Sequence, residues 1–108
     1  MVRLTVVLAA SHRRGHELVQ TLRSLMMHAR LQPGCLTCNV WSDLESSVRY
    51  VEEWATEVDL ERRVRSDRFT WLLAIIEASE EPPDVRFDFF TLSRGLDYVE
   101  DIRQQQPS

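Results

Sequence analysis

The fold is decided by a stretch that opens with Pro33-Gly34-Cys35-Leu36 and ends at Phe69. Its first part alternates like a strand, and a second alternating run closes with Tyr50-Val51-Glu52-Glu53-Trp54. A helical pattern follows, from Leu60-Glu61-Arg62-Arg63 through Ser66 to Phe69. Two alternating runs followed by a helical period predict two strands that lead into a helix.

The segments on both sides of this stretch extend the pattern. Val2 to Ala10 reads as a strand, and leucines then recur at helical spacing until the chain turns at Pro33-Gly34. Ser66-Asp67 fits the start of another helix, which Pro82-Pro83 ends because proline cannot continue the hydrogen-bond ladder. Val85 to Leu92 is the last predicted strand. This order predicts an α+β domain of the ferredoxin-like βαββαβ plan with an antiparallel sheet.

Length and composition fit one domain with a short extension. The chain has 108 residues, of which 44% are hydrophobic and 28% charged, and its formal net charge is -4. We assign residues 1–94 to the domain and residues 95–108 to a C-terminal arm and polar tail. The negative charge argues against nucleic acid as a partner, and no segment has the roughly 20 apolar residues of a membrane-spanning helix. The apolar run near the N-terminus is too short for a signal peptide core, so we expect a cytoplasmic protein with reduced thiols.

The order and spacing of the central stretch resemble the antibiotic biosynthesis monooxygenase domain, a family of small dimeric α+β barrels. The resemblance runs from Val2 to Phe90, and the strand-closing Trp54 is a recurring feature of the family. It implies that two ferredoxin-like sheets pair face to face into a dimeric α/β barrel. It also implies oxygen chemistry without a flavin, metal or other cofactor.

The distribution of apolar residues predicts a homodimer independently. Both faces of the first and last predicted strands are apolar, with Val6, Leu8, Phe87 and Phe89 on one side and Val7, Ala9 and Phe90 on the other. At about 100° per residue, the helix after Ser66 is predicted to turn Leu73 toward the sheet and Trp71 and Ile75 away from it. Since the helices of this plan cover only one face of the sheet, a second copy of the chain is the simplest cover for the other.

The two cysteines are read as structural. Cys35-x-x-Cys38 lies in a predicted strand, where an odd separation points the two side chains to opposite faces, so a redox pair is not expected. A zinc site needs two further ligands, and the sequence offers no second cysteine pair or paired histidines, so no metal site is predicted. Among the histidines, His12 is the one placed to face a cleft, whereas His16 and His28 are expected in solvent.

Aromatic and polar side chains around the central stretch indicate a pocket for a planar aromatic ligand. Aromatic stacking gives affinity, and a few polar groups fix the orientation of the ring. The candidate substrate-binding residues are His12, Asn39, Trp41, Tyr50, Trp54, Arg63, Phe69 and Trp71. The alternative interpretation makes the aromatic members ordinary core and interface residues.

The resemblance implies roles for some of these residues in oxidising a small aromatic, phenolic or quinol-like compound. Trp54 and Arg63 are the catalytic candidates: Arg63 stabilises a phenolate, while Trp54 and Tyr50 flank the ring and Asn39 holds a carbonyl. The chain also departs from the family. Many relatives have a histidine where Arg63 stands, and anthrone-oxidising members have an asparagine in place of Tyr50. Leu73 occupies the position of the iron ligand in the haem-degrading branch, so haem is not expected.

Two other classes of function stay open. The missing family residues favour a non-catalytic dimer of the same fold that binds a small molecule or acts under stress. A structural module that docks another chain through the Gly95–Arg103 arm would need no pocket at all. Oxygen consumption separates the enzyme from the binding dimer, because only the enzyme couples ligand binding to loss of oxygen.

Overall fold

The computed structural model describes residues 1–10, 12–43, 46–79, 81–90 and 96–105, and side chains at 12 and 13 are not described. The elements in these ranges are β1 (Val2–Ala9), α1 (His12–Arg30), β2 (Cys35–Asp43), β3 (Ser47–Trp54), α2 (Glu57–Arg65), α3 (Asp67–Glu77), β4 (Asp84–Phe89) and α4 (Leu96–Gln104). This order confirms the predicted α+β, ferredoxin-like plan. The last strand ends earlier than predicted, at Phe89, and Leu92 lies outside the described residues. None of the described helices is long and apolar enough to cross a membrane.

The four strands form one antiparallel sheet in the order β2-β3-β1-β4. β1 lies near the centre, where Val6 pairs with Tyr50 of β3 on one side and with Val85 of β4 on the other. Because residues directly opposite each other in a sheet share a face, this register fixes which side chains meet the helices. Even-numbered residues of β1 and β3 point to the helices, and odd-numbered ones point away.

The core lies between the sheet and the helices. Its buried members are Leu4, Val6, Leu8, Val19, Leu22, Leu25, Ala29, Cys38, Val48, Tyr50, Phe69 and Leu72. A smaller apolar cluster of Val2, Trp54 and Leu60 joins the sheet to α2. The alternation in β1 and the helical spacing in α1 therefore place the apolar residues of both elements in the core layer between the sheet and the helices.

Side-chain caps fix where α2 and α3 begin. The Thr56 hydroxyl accepts a hydrogen bond from the Asp59 backbone N–H at 3.2 Å, and the Ser66 hydroxyl accepts one from the Phe69 N–H at 3.4 Å. Each cap satisfies a backbone donor that the first turn of a helix leaves without an intrahelical partner. Ser66 is thus both the C-cap of α2 and the N-cap of α3, so the two helices follow each other without a linker.

A β-bulge in β2 overturns the prediction that the two cysteines face opposite sides. Cys35 pairs with Trp54, but Thr37 pairs with Glu53, so Leu36 is an extra residue without a partner in β3. The bulge turns Cys35 to the helix side, where Cys38 also lies, and leaves Leu36 54% exposed. One inserted residue reverses the alternation, because the side-chain period of a strand is two.

The buried face of α3 is also rotated from the prediction. Leu73 was expected to face the sheet and Ile75 to face away, but Leu73 is 41% exposed and Ile75 packs against the core. The fully buried Leu72 marks the middle of this face, and Ile75 lies only about 60° from it whereas Leu73 lies about 100° away. Trp71 is exposed, as predicted.

The face of the sheet that carries no helix is mixed rather than apolar. We call it the uncovered face; it presents Arg3, Thr5, Val7, Thr37, Asn39, Trp41, Arg49, Val51, Glu53, Arg86 and Asp88. Arg3 pairs with Glu53 at 3.0 Å and Arg86 pairs with Asp88 at 3.1 Å. Trp41 is half-exposed on this face. The expected continuous apolar patch is therefore interrupted by ion pairs.

Candidate functional site

A buried carboxylate, Glu52, is the centre of the polar groups on the helix side of the sheet. Its side chain is fully buried and accepts hydrogen bonds from the Trp54 indole N–H at 3.0 Å and from the Tyr50 hydroxyl. The Arg63 guanidinium donates to both oxygens, with Nε at 3.2 and 3.3 Å and Nη2 at 2.8 Å from Oε2. We call these four residues the Glu52 cluster.

The strand alternation and the helix period together build this cluster. The helix-facing side of β3 carries every second residue of the strand, among them Tyr50, Glu52 and Trp54. Arg63 lies on the inner face of α2, three residues after the buried Leu60, so its side chain reaches down onto the strand. The Phe69 ring of α3 lies 5.6 Å from the guanidinium carbon, within the range of a cation–π contact.

Protonation in the cluster follows from burial and from the charge on Glu52. Burial and the neighbouring carboxylate raise the pKa of Tyr50 far above its ordinary value, so Tyr50 stays a phenol and donates. Burial alone would lower the pKa of Arg63, but hydrogen bonding and the charge of Glu52 raise it, so Arg63 stays a cation. Burial raises the pKa of Cys38 to about 12, which keeps the neighbouring thiol protonated.

The structure brings together four of the residues named from the sequence: Tyr50, Trp54, Arg63 and Phe69. Glu52, to which three of them donate, was not among the residues predicted for the site. The signal was present, because a glutamate at the middle position of the alternating Tyr50, Glu52, Trp54 run points inward with two large aromatics. A carboxylate at such a position requires a buried partner.

The other predicted site residues lie elsewhere. Asn39 is on the uncovered face, where its Oδ1 accepts a hydrogen bond from Arg30 at 3.1 Å. Trp41 is on the same face, and Trp71 is 60% exposed on the outer side of α3 with the guanidinium of Arg68 5.8 Å from its ring. His12 begins α1, but its side chain lies outside the described part of the structure.

Several cavities are lined by described residues, and one with a mainly apolar lining lies between α2 and β4. We call it the α2–β4 groove; it has a volume of about 320 Å³ and is lined by Glu57, Leu60, Glu61, Val64, Arg65, Phe87 and Phe89. A larger notch of about 530 Å³ lies between α1 and the ends of β2 and β3. Neither of these two cavities is lined by a residue of the Glu52 cluster. Leu60 links the groove to the cluster, because it also packs with Trp54.

The chemistry open to the Glu52 cluster is limited by its own hydrogen bonds. Both carboxylate oxygens already accept from Arg63, and each takes a further donor. The opposite charges of Glu52 and Arg63 also cancel. Among the described residues, no group of three or more histidine, cysteine or acidic side chains is placed to hold a metal ion. A ligand anion at this position must therefore compete with Glu52 for Arg63.

Comparison with solved structures identifies the architecture. A candidate antibiotic biosynthesis monooxygenase from Deinococcus radiodurans superposes with a TM-score of 0.75 at 18% identity, over 88% of this chain and 97% of that one. A second candidate antibiotic biosynthesis monooxygenase, from Nitrosomonas europaea, gives a TM-score of 0.67 at 16% identity, over 85% of this chain and all of that one. This chain has the antibiotic biosynthesis monooxygenase fold. The protein Rv0793 from Mycobacterium tuberculosis matches as well, with a TM-score of 0.71 at 14% identity over 87% and 98% of the two chains.

The antibiotic biosynthesis monooxygenase fold was predicted from the spacing of the central stretch, and this prediction is confirmed. No family model and no curated protein matches the sequence itself. At these identities the similarity concerns the arrangement of the backbone, and a shared fold does not transfer the role of any residue. Function must therefore be argued from the Glu52 cluster.

Proposed function

We propose that the protein is a homodimeric, cofactor-independent monooxygenase that oxidises a small aromatic, phenolic or quinol-like compound beside the Glu52 cluster. The observation that carries the proposal is the meeting of Tyr50, Trp54 and Arg63 around one buried carboxylate. Burying a charged pair costs desolvation energy, and perturbed titratable groups are concentrated at functional sites. The fold shared with candidate monooxygenases supports the same class of reaction.

The proposed reaction needs a protonated donor and a cation near the substrate oxygen. The substrate loses a proton to solvent, and its anion gives one electron to O₂. The resulting radical and superoxide recombine, the peroxide anion takes a proton back from solvent, and the hydroperoxide loses water, so that the CH₂ group of an anthrone and O₂ become a carbonyl group and H₂O. Tyr50 donates a hydrogen bond to the substrate oxyanion, Arg63 stabilises its charge, and Trp54 flanks the ring. When this anion binds, Glu52 loses some of the hydrogen bonds that it accepts from Tyr50 and Arg63.

Oxygen uptake by the purified, metal-free protein, measured with a panel of quinols and anthrones, tests the proposal. We expect uptake above the spontaneous rate, and a loss of at least tenfold in Tyr50→Phe, which removes only the hydroxyl. Trp71→Ala is the matched control, since this exposed aromatic lies outside the cluster and the variant should keep the wild-type rate. A rate unchanged in Tyr50→Phe would remove the cluster from the reaction.

A second candidate function is a non-catalytic dimer that binds a small molecule. The observation that favours it is the pairing of Arg63 with Glu52, which leaves the ion pair as a whole without net charge to attract an anion. Such a protein would bind an aromatic compound, read out by quenching of tryptophan fluorescence, without consuming oxygen. Binding without uptake across the panel would select this function over the monooxygenase.

The proposal includes assembly into a homodimer and a cytoplasmic location. The uncovered face supports the dimer, because it leaves the large side chain of Trp41 half in solvent with no helix above it. Two such faces in contact would form the barrel that the sequence led us to expect. In the cytoplasm Cys35 and Cys38, which are free thiols here, would stay reduced.

A further inference from the structure

Helix α4 has an apolar stripe that is exposed to solvent. Leu96, Val99 and Ile102 recur every third residue and lie within an arc of about 120° at 100° per residue. They are 82%, 48% and 46% exposed, and every residue of α4 is exposed. An amphipathic helix gains stability in proteins from burial of its apolar face, so this stripe is suited to contact another surface.

The overall dimensions place α4 away from the body of its own chain. The radius of gyration is 17.5 Å and the longest dimension is 64 Å. A compact domain of this length has a radius of gyration of about 13 Å. Together with the exposure of every residue of α4, these dimensions indicate that α4 lies away from the other described elements and that its apolar stripe does not pack on them.

The α2–β4 groove offers a matching apolar surface. Leu60 and Val64 lie one turn apart on α2 and form one wall, and Phe87 and Phe89 of β4 form the other. Val64 and Phe89 are 42% and 54% exposed although they line a concave surface. An amphipathic helix laid into an apolar groove is a recurring mode of peptide recognition, with anchors at helical spacing.

Charge complements the apolar match. Arg103 follows Leu96 by seven residues and so lies on the same side of α4 as the apolar stripe, while Asp97 and Asp101 lie toward the opposite side. The groove carries two exposed carboxylates at its rim: Glu57, and Glu61, which pairs with Arg65 of the same rim at 3.9 Å. When the stripe faces the groove, the guanidinium of Arg103 meets the Glu57 carboxylate, and Asp97 and Asp101 face solvent.

We propose that α4 of one copy of the chain docks in the α2–β4 groove of a second copy, and that the exchange is reciprocal. The extended position of the arm argues for the second copy over the chain's own groove. A two-fold axis gives two equivalent contacts per dimer, and exchange of a segment between identical chains is a low-cost route to a dimer. The proposal goes beyond the oxygenation chemistry and holds whether or not the protein is an enzyme.

Disulfide trapping with Val64→Cys and Val99→Cys tests the contact. Both valines are exposed, one in the groove and one on the apolar stripe, so the double variant should fold. It is made with Cys35→Ser, which removes the half-buried native thiol, whereas Cys38 is buried and is kept. Mild oxidation is expected to convert most of the double variant into a covalent dimer that a reductant reverses, and each single-cysteine variant measures the background.

The outcomes separate the possible occupants of the groove. A covalent dimer well above the background of the single variants supports exchange between two copies. A covalent link within one chain would mean that α4 occupies its own groove, and no link would mean that α4 does not dock there; either overturns the proposal.

Sedimentation equilibrium adds an independent readout that needs no cysteine. Ile102→Asp should weaken self-association at least tenfold, because it places a charge in the docked stripe. Gln104→Asp is the matched control, because it adds the same charge about 140° from the middle of the stripe and should leave the dissociation constant unchanged. An unchanged constant in Ile102→Asp would count against the proposal.

Discussion

Arg63 and Glu52 form an ion pair that is closed to solvent at both ends. The two residues are eleven positions apart, on α2 and β3, and the Nη2···Oε2 distance is 2.8 Å. Their side chains are only 2% and 0% exposed. The pair therefore fixes the helix to the strand through charges that water does not screen.

Removal of one member of this pair should destabilise the fold strongly. Glu52→Ala leaves the Arg63 cation buried without a partner, and we expect the free energy of unfolding in urea to fall by about 3–5 kcal/mol. Glu53→Gln is the control, because its ion pair with Arg3 is partly exposed and should contribute less than about 1 kcal/mol. Equal losses in the two variants would contradict the buried role of Glu52.

The loss of folding stability at acidic pH should depend on Glu53. The hydrogen bond from the Thr37 hydroxyl, at 2.6 Å, lowers the pKa of Glu53 below its ordinary value of 4.5, and Arg3 adds to this. A folded-state pKa below the unfolded one contributes stability above pH 4.5 that is lost as the pH falls through the folded pKa. Thr37→Val should therefore be destabilising at pH 7, and the difference from wild type should shrink as the pH falls below 4.5 in urea titrations. A difference independent of pH would contradict this assignment.

The two thiols should differ in reactivity. Cys38 is buried with a pKa of about 12, whereas Cys35 is half-buried and its pKa is raised less far, mainly by burial. Because the thiolate is the reactive form, a thiol reagent at pH 8 should label only Cys35 in the native protein, slowly, and both thiols in urea. Cys35→Ser should abolish native labelling, and fast native labelling in that variant would show that Cys38 is accessible.

Two glycines should respond to alanine in opposite directions. Gly34 has a positive φ of 84°, and a Cβ there would overlap the carboxylate of Asp59, so Gly34→Ala should cost about 1–2 kcal/mol or more. Gly15 lies in α1, and a Cβ there would meet the Cβ of Ala10 at 3.8 Å, an ordinary contact. Gly15→Ala should therefore stabilise the protein by up to about 1 kcal/mol. Thermal melts of both variants check the opposite signs.

The uncovered face should mediate the proposed homodimer. Light scattering at micromolar concentration is expected to give the mass of two chains, and Trp41→Glu should shift this mass toward one chain by placing a charge in the contact. Trp71→Glu, at an exposed aromatic on α3, is the matched control and should leave the mass unchanged. A wild-type monomer under these conditions would overturn the dimer.

The local hydrophobic patterns of the sequence were sufficient to predict the fold. The alternation in β1 and the leucine spacing in α1 each depend on a single element, and both predict its buried side correctly. The Glu52 cluster could be predicted only in part, because the burial of Glu52 is tolerable only through Arg63 on another element. The inward turn of Cys35 was missed for a related reason: the bulge is visible in the pairing with β3 and not in β2 alone. Interactions between elements, rather than within them, account for these two misses.

The bulge at Leu36 also affects how this protein is aligned with others. Its extra residue changes the side of the sheet to which the Cys35 side chain points, while the remainder of the strand keeps its register. Deletion of this one position would carry Cys35 to the opposite side without any change of residue type. In this strand the number of residues before Thr37 determines which side chains enter the interior, so an ungapped alignment with a bulge-free strand would equate inward positions with outward ones.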